Sequence, residues 1–328
     1  MKIAHISAAP GADPRWPNWG DRVIVRAMQD QFNLYADIEW HNLYVRNAFG
    51  EADVDLINSC DLMLLGGGGL IMPRGYPTGW QWNITTDQYE RIKTPMVMLA
   101  VGWNFFGDMP GESVRWSLNL MAQDFSRIAL RHEEDQYDFE YHVGGVTHLC
   151  YCPSILIEPF KPTKGRKIGL LLALDRGVAR YGSAVGVERV KQSFTSLARR
   201  LWAQGYDPCF IKHIKSDYTP DDFPVVDLTG ATVDEGVKAY QGMALVVTTR
   251  GHGQMIPQGL GCKVVSAMAH PKIKRFVDDF HLHDTFTMDL NAVKLYQVCQ
   301  DALDLEHRDI QPTVQDNVTH NIERVLEL

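Results

Sequence analysis

Short apolar runs rich in β-branched residues alternate with amphipathic stretches along nearly the whole chain. That alternation admits few folds besides α/β units built on mostly parallel sheets. KIAHIS (2–7) reads as a strand, and GDRVIVRAMQDQF reads as a helix because Val23, Ala27 and Ile24, Met28 recur at four-residue spacing. IEW (38–40) reads as a strand, EADVDLINSC (51–60) as a helix, and DLMLLGGGG (61–69) as a buried strand running into a glycine turn. QYERIK is helical, MVMLAVGWN (96–104) a strand, ESVRWSLNLMAQDF a helix, and RIALRHEED (127–135) a strand turning into a helix. EPFKPTKGRK (158–167), with two prolines, a glycine and four cations, has the composition of a linker. Alternation then restarts, with KIGLLLAL, YDPCFIKH, ALVVTTR and KVVSAM as strands. GVERVKQSFTSLARRLWAQG, TVDEGVKAYQG and GQMIPQGLG read as helices between them, and NAVKLYQVCQDALD and QDNVTHNIERVLEL as closing helices. The expected architecture is α/β: two Rossmann-like domains facing a cleft, residues 1–160 and 161–328.

Length and composition agree. The 328 residues suit two domains of about 150 each. A hydrophobic share of 45% and a charged share of 22% are those of a globular protein. A formal net charge of −8 argues against a nucleic-acid partner, so an anionic ligand needs a locally basic pocket. No apolar run is long enough to span a membrane. The N-terminus reads as a strand rather than a signal peptide, since Asp13 and Arg15 follow soon after it. The six cysteines are scattered without a C-x-x-C pair, and CYC (150–152) is too tight for a comfortable bridge, so reduced thiols, a cytoplasmic setting and no metal are expected.

Ligands of open α/β sheets bind beyond the carboxyl ends of strands, where helix N-termini present free N–H groups. Four stretches fall there. In NWGDRVI, Asn18 precedes a tight turn at Gly20, and Asp21 either caps the helix or meets a ligand. GGGGL (66–70), with Gly67 and Gly68, either serves packing or exposes amides to a ligand; it fits neither a dinucleotide fingerprint nor a P-loop. ALRHEED places Arg131 at a strand end, where salt bridging is the commoner role. TTRGHGQMIPQGLGCK sets Arg250 and His252 two residues apart at the mouth of a buried strand. Weaker patterns are read as structural. DVD (53–55) lies on an amphipathic helix, HLHD (281–284) sets His281 and His283 on one side of a strand without a third ligand, and HPKIKRF supplies Lys272, Lys274 and Arg275 as a solvated face with one cation turned inward.

In their order, these stretches resemble the polysaccharide pyruvyl transferase family over about residues 15–290. NWGD resembles its N-x-G-D opening, DLMLLGGGGL its strand into a glycine turn, AVGWN (with Asn104) its G-x-N strand end, and LRHEED its Arg-acidic turn. TTRGHGQMIPQGLGCKVVSAMAHPKIKRF resembles its R-x-H segment, strand and later Lys. The resemblance implies two Rossmann-like domains similar to GT-B glycosyltransferases. It also implies transfer of a carboxyvinyl group from phosphoenolpyruvate to sugar hydroxyls of a polysaccharide or its precursor, with no other cofactor. His252 then acts as general acid. Arg250, Arg131 and Lys272 bind the donor anion, and Asn18, Asp21, Gly67, Gly68 and Asn104 shape the acceptor side. The implied partners are a small-molecule donor and a saccharide acceptor.

The chain departs from the family pattern in three places. Cys152 stands in CYCPS where an aspartate is expected, Pro257 and glycines replace an Ala-rich run, and GYPTGWQWN (75–83) is an added aromatic segment. Its Trp80 and Trp82 either stack on a sugar or pack as a lid. Two rival readings stand beside this one. One is a GT-B glycosyltransferase using a nucleotide-sugar, against which speaks the lack of a carboxylate in GQMIPQGLGCK to hold a ribose. The other is a non-catalytic glycan- or anion-binding relative.

Overall fold

The computed structural model describes residues 1–328 except 11–15, 17, 107–109 and 159–164. The chain divides into two compact units: Met1–Asp13, Asp21–Pro153 and Thr313–Leu328 form one, and Pro14–Gly20 with Ser154–Pro312 form the other. The expected linker lies largely outside the described residues. The division falls at 153/154 rather than 160, and the last segment of the chain joins the first unit rather than the second.

The first unit carries β1 (Lys2–Ser7), β2 (Glu39–Tyr44), β3 (Leu62–Ile71), β4 (Met96–Trp103), β5 (Arg127–Leu130) and β6 (His148–Leu149). They pair in the order β2-β1-β3-β4-β5-β6, all parallel. Its helices are α1 (Trp19–Asn33), whose first two residues belong to the second unit, α2 (Glu51–Asn58), α3 (Thr86–Glu90), α4 (Glu112–Asp124) and α5 (Glu133–His142). A parallel sheet covered on both faces needs unbroken apolar strands, and every residue of β4 is buried. Ala4, Ile6, Met63, Leu65 and Met98 of the sheet pack with Val54 and Ile57 of α2, Leu118 and Met121 of α4, and Phe139 of α5. Trp80 and Trp82 are fully buried in this core, their rings edge-to-face at 6.1 Å, so the aromatic segment packs and does not present a sugar platform.

The glycine run differs from the expected turn. β3 continues through it to Ile71, with Gly67 and Gly68 at φ of 81° and 101°, and the pairing with β4 shifts register beyond Gly68. Positive φ inside a strand makes a bulge, and only glycine takes it without strain.

The second unit carries β7 (Lys167–Leu171), β8 (Asp207–Lys212), β9 (Val225–Asp227), β10 (Met243–Thr248), β11 (Lys263–Ala267) and β12 (Phe286–Thr287). Its parallel order is β12-β11-β10-β7-β8-β9. Its helices are α6 (Gly177–Tyr181), α7 (Ala184–Ala203), α8 (Val233–Tyr240), α9 (Gly251–Gly259), α10 (Pro271–Asp279) and α11 (Ala292–Asp304). Phe194, Leu197 and Leu201 of α7 and Leu295, Val298 and Cys299 of α11 bury against Ile168, Phe210, Val247 and Val265 of the sheet. HPKIKRF, read as mostly a solvated face, opens α10, on which Ile273, Arg275 and Phe276 are buried. HLHD forms no strand: His283–Thr285 is a 3-10 turn, and the His281 and His283 rings stand 6.5 Å apart and tilted. Among the described residues no three His, Cys, Asp or Glu side chains converge as a metal site, and no helix is long and apolar enough to cross a membrane.

Two segments are fastened far from their neighbours in sequence. The closing α12 (Gln311–Leu326) buries Val314, Val318, Ile322 and Val325, and its Asn321 accepts from Arg127 and donates to the Leu149 carbonyl of the first unit. Trp19 is fully buried in the second unit, its N–H donating to the His213 carbonyl at 3.0 Å and its indole Nε1 to the Thr232 carbonyl at 3.1 Å. Its ring lies against His213 and Tyr240.

His5 of β1 is buried without charge. Its Nε2 lies 3.3 Å from the Gly66 carbonyl and its Nδ1 3.3 Å from Gln29 Nε2, which suits one neutral tautomer. Burial lowers its pKa to about 4 despite the Gly66 bond. The unfolded chain therefore takes the proton first as pH falls. Stability should be complete above about pH 6.5 and drop by up to about 3 kcal/mol towards pH 4. Urea denaturation at pH 7 and 4.5 checks this, and His5→Gln should flatten that slope; an unchanged slope refutes it.

Candidate functional site

In the second unit the sheet order reverses between β7 and β10, so their carboxyl ends open the crevice where α/β sheets take ligands. Arg250 follows β10 directly and is nearly buried. Its Nη2 lies 2.5 Å from Asp175 Oδ1 and 2.5 Å from Asp217 Oδ1. Asp217 Oδ2 accepts the N–H groups of His213 and Ile214 at 2.9 and 3.0 Å. Asp175 also holds Arg180 at 3.0 Å. Burial works against charge on Arg250, yet Asp217 and Asp175 outweigh it and hold the guanidinium charged. Burial likewise pushes Asp175 up, but Arg250, Arg180 and Lys272 together hold it below the usual carboxylate range. For Asp217 burial prevails over the pull of Arg250, and its carboxyl is pushed up. Thr248 Oγ1 accepts the Arg250 N–H at 3.0 Å, and Thr249 Oγ1 accepts the Ala173 N–H at 2.9 Å, so hydroxyls complete the strand ends.

Arg250 is also the residue from which α9 starts, in extended conformation, and among the described residues no side chain caps the helix. The glycine-rich opening has a packing cause: a Cβ on Gly253 would stand 2.4 Å from Leu171 and Thr248. His252 is half-buried at the second helical position. Gly20 packs on it so closely that a Cβ there would meet the imidazole at 2.6 Å. Asn18 precedes the anchored Trp19 and belongs to the same unit. Lys272, at the start of α10, lays its Cε 3.3 Å from where a Gly251 Cβ would stand. Beside it His270 accepts the Lys272 N–H at 3.2 Å through Nδ1. Burial, and then Lys272, Arg180, Arg275 and Arg176, drive the His270 pKa far below its ordinary value. That shift registers how many cations gather at this edge of the sheet.

The first unit holds the other sequence-predicted residues: Gly67 and Gly68 within β3, Asn104 just past β4, Arg131 just past β5, and Asp21 in α1. Arg131 is 3% exposed, and its Nε and Nη2 have no hydrogen-bond partner among the described residues. Gly102 makes room for it: a Cβ there would lie 2.3 Å from Nη2. Asn104 donates its N–H to the Ile71 carbonyl at 2.8 Å and rests its amide against Gly69, while Gly68 lies against Ala8. Asp21 sits inside the first turn of α1 rather than before it, where its charge suits the helix dipole.

The predicted residues thus fall into two sets, Arg250, His252, Lys272 and Asn18 in the second unit and Arg131, Asp21, Gly67, Gly68 and Asn104 in the first. Sequence reasoning missed Asp175, Asp217, Arg180 and His270. Asp175 was signalled by its place just past KIGLLLAL; Asp217 carries no local signal.

The two sheets, each with a carboxyl-end crevice, define a GT-B-like pair of Rossmann-like domains, and solved structures share that fold. The Methanocaldococcus jannaschii UDP-GlcNAc 2-epimerase in complex with UDP-GlcNAc and UDP superposes with a TM-score of 0.57 at 11% identity, over 100% of this chain and 99% of that one. The UDP-N-acetylglucosamine 2-epimerase of Rickettsia bellii gives 0.56 at 10%, over 100% and 96%. Anabaena HepE in complex with UDP and glucose gives 0.53 at 10%, over 100% and 98%. No curated protein matches at a significant level. The family model for polysaccharide pyruvyl transferase matches residues 12–270, and the chain belongs to that family, a transferase-type enzyme. One expectation is corrected. Phosphoenolpyruvate was expected as the donor, whereas the similar structures named with a ligand hold UDP, UDP-GlcNAc or UDP with glucose.

The buried ion cluster and Arg131 predict opposite responses to truncation. Asp217→Ala should cost about 3 kcal/mol in chemical denaturation by leaving Arg250 short of a partner. Asp30→Ala, which removes an exposed pair with Arg26, should stay within about 0.5 kcal/mol. Arg131→Met should keep or raise stability by about 1 kcal/mol, because a buried guanidinium with orphaned N–H groups is removed. A marked loss would show that Arg131 serves the fold.

Proposed function

We propose that the protein is a saccharide-modifying transferase whose donor is a nucleoside-diphosphate sugar, bound in the second unit at the carboxyl ends of β7 and β10. One observation carries the reading: the cation in the strand end is already neutralised, while among the described residues no side chain caps the start of the helix beside it. Arg250 faces two carboxylates of its own, so it positions the site instead of meeting the donor. The amides at the start of α9 and the ammonium of Lys272 beside Gly251 supply the positive field, which suits a diphosphate. The UDP carried by the similar folds supports the same class of donor.

In this reading the bond between the donor sugar carbon and the diphosphate breaks, and its electron pair leaves on the phosphate oxygen. The helix terminus and Lys272 stabilise that oxygen as its charge develops. The acceptor hydroxyl oxygen forms the new bond to the sugar carbon, and its proton passes to His252. Asp175, one-third exposed, is placed to accept hydrogen bonds from donor hydroxyls, which answers the missing carboxylate in GQMIPQGLGCK. Asn18 and the first-unit residues Asp21, Gly67, Gly68 and Asn104 are assigned to the acceptor. Arg131 is assigned to an anionic or hydroxyl-rich group on a substrate, because its buried N–H groups need an acceptor.

Binding tests this directly. UDP at a hundred times its Kd should stabilise the protein by about 2.7 kcal/mol in a thermal-shift or denaturation assay. UDP-GlcNAc should do the same, and Lys272→Met should weaken UDP by about tenfold or more by removing a charge partner of the phosphates. Stabilisation by phosphoenolpyruvate with none by UDP or any UDP-sugar overturns the reading.

A further inference from the structure

A second feature of the C-terminal unit lies at the opposite end of its sheet. The amino ends of β7 and β8 bring Lys167 and Asp207 side by side as register partners. With Trp202, Pro208, Asp222 and Phe223 they line a cavity of about 420 Å³. Trp202 closes the C-terminal end of α7 and is 66% exposed, an unusual state for the largest apolar side chain, while α7 buries its Phe194, Leu197 and Leu201. Its indole meets the buried Phe223 ring edge-on at 6.3 Å and 77°. Asp222 is held at the rim by Arg199 at 3.0 Å, and Asp207 and Lys167 stand free of any ion pair between them.

We propose that this cavity is a saccharide-binding subsite, separate from the crevice at the carboxyl ends of β7 and β10, and that its ligand is a neutral pyranose chain. A sugar ring offers an apolar face of C–H groups edged by hydroxyls. An oriented aromatic with carboxylates and an amine around it matches both halves of that chemistry. The pyrrolidine of Pro208 extends the apolar floor. The volume accepts one or two sugar rings, in the range of small-ligand sites of about 300–1,000 Å³. Phosphate-bearing ligands are disfavoured here, since the rim carries two carboxylates against Lys167 and an Arg199 already paired. Such a subsite holds a polymer onto the enzyme while a separate crevice does the chemistry, so it raises the effective concentration of acceptor ends.

The test titrates the full-length protein with maltohexaose, cellohexaose and a galactohexaose, read by tryptophan fluorescence and by saturation-transfer NMR. At least one should bind, Trp202→Ala should weaken it by about tenfold or more, and Trp202→Tyr should restore part of it. UDP binding should be the same in wild type and both variants, which separates this result from the fate of the donor assignment. Circular dichroism melts of the variants show that the fold is kept, and Asp207→Asn, a milder change at the same rim, should also weaken the oligosaccharide. No binding by any of the three hexaoses, or binding indifferent to both Trp202→Ala and Asp207→Asn, overturns the proposal.

Discussion

A single buried guanidinium organises the second unit. Asp175 follows β7, Asp217 follows β8, and Arg250 follows β10, so one cation ties together the ends of three strands. A buried charge is tolerable only when its partners return what desolvation takes away, and here two carboxylates do so, one of them also fed by two backbone N–H groups. Because α9 starts from the same residue, the ion cluster also sets where that helix begins and where its first amides point. Whatever binds at this edge of the sheet meets a frame whose own charges are already balanced. Lys272, Arg180, Arg275 and Arg176 act on His270 at the same edge.

Small residues set how closely the rest can approach. Gly20 lets the first turn of α1 lie on the His252 ring, and Trp19 beside it plugs the second unit between His213 and Tyr240. The imidazole is thus held by backbone as well as by its helix. Gly102 plays the corresponding part for Arg131 in the first unit. A buried guanidinium with orphaned N–H groups lowers stability.

Membership of the polysaccharide pyruvyl transferase family and the GT-B-like fold answer different questions. The family match ties the chain to modification of saccharides, while the fold is shared by enzymes that bind UDP-sugars at about a tenth identity. One architecture hosts several donors because the crevice is generic and a few side chains around it choose the ligand. In this chain Arg250 is already paired with Asp175 and Asp217, so the side chains around it rather than its own charge are left to make that choice.

Much of the architecture was legible in the order of residues. Unbroken apolar runs marked the long strands, and the four-residue recurrence of Val23, Ala27 and Ile24, Met28 marked α1, because burial of a face imposes its period on the chain. Strands of two or three residues, β6, β9 and β12, left no trace, since no period can be expressed in so short a run. The strand-end positions of Arg250, His252 and Arg131 were also readable, as each follows an apolar run directly. What sequence alone determined is therefore the alternation, the two Rossmann-like halves and the residues at the strand ends. Only the tertiary structure decided which charges those residues meet. Arg250 finds Asp175 and Asp217 at separations of 75 and 33 residues, and the chain's last helix returns to the first unit. Pairing in space follows from strand order in the sheet, and strand order is settled by long-range packing that no local pattern records.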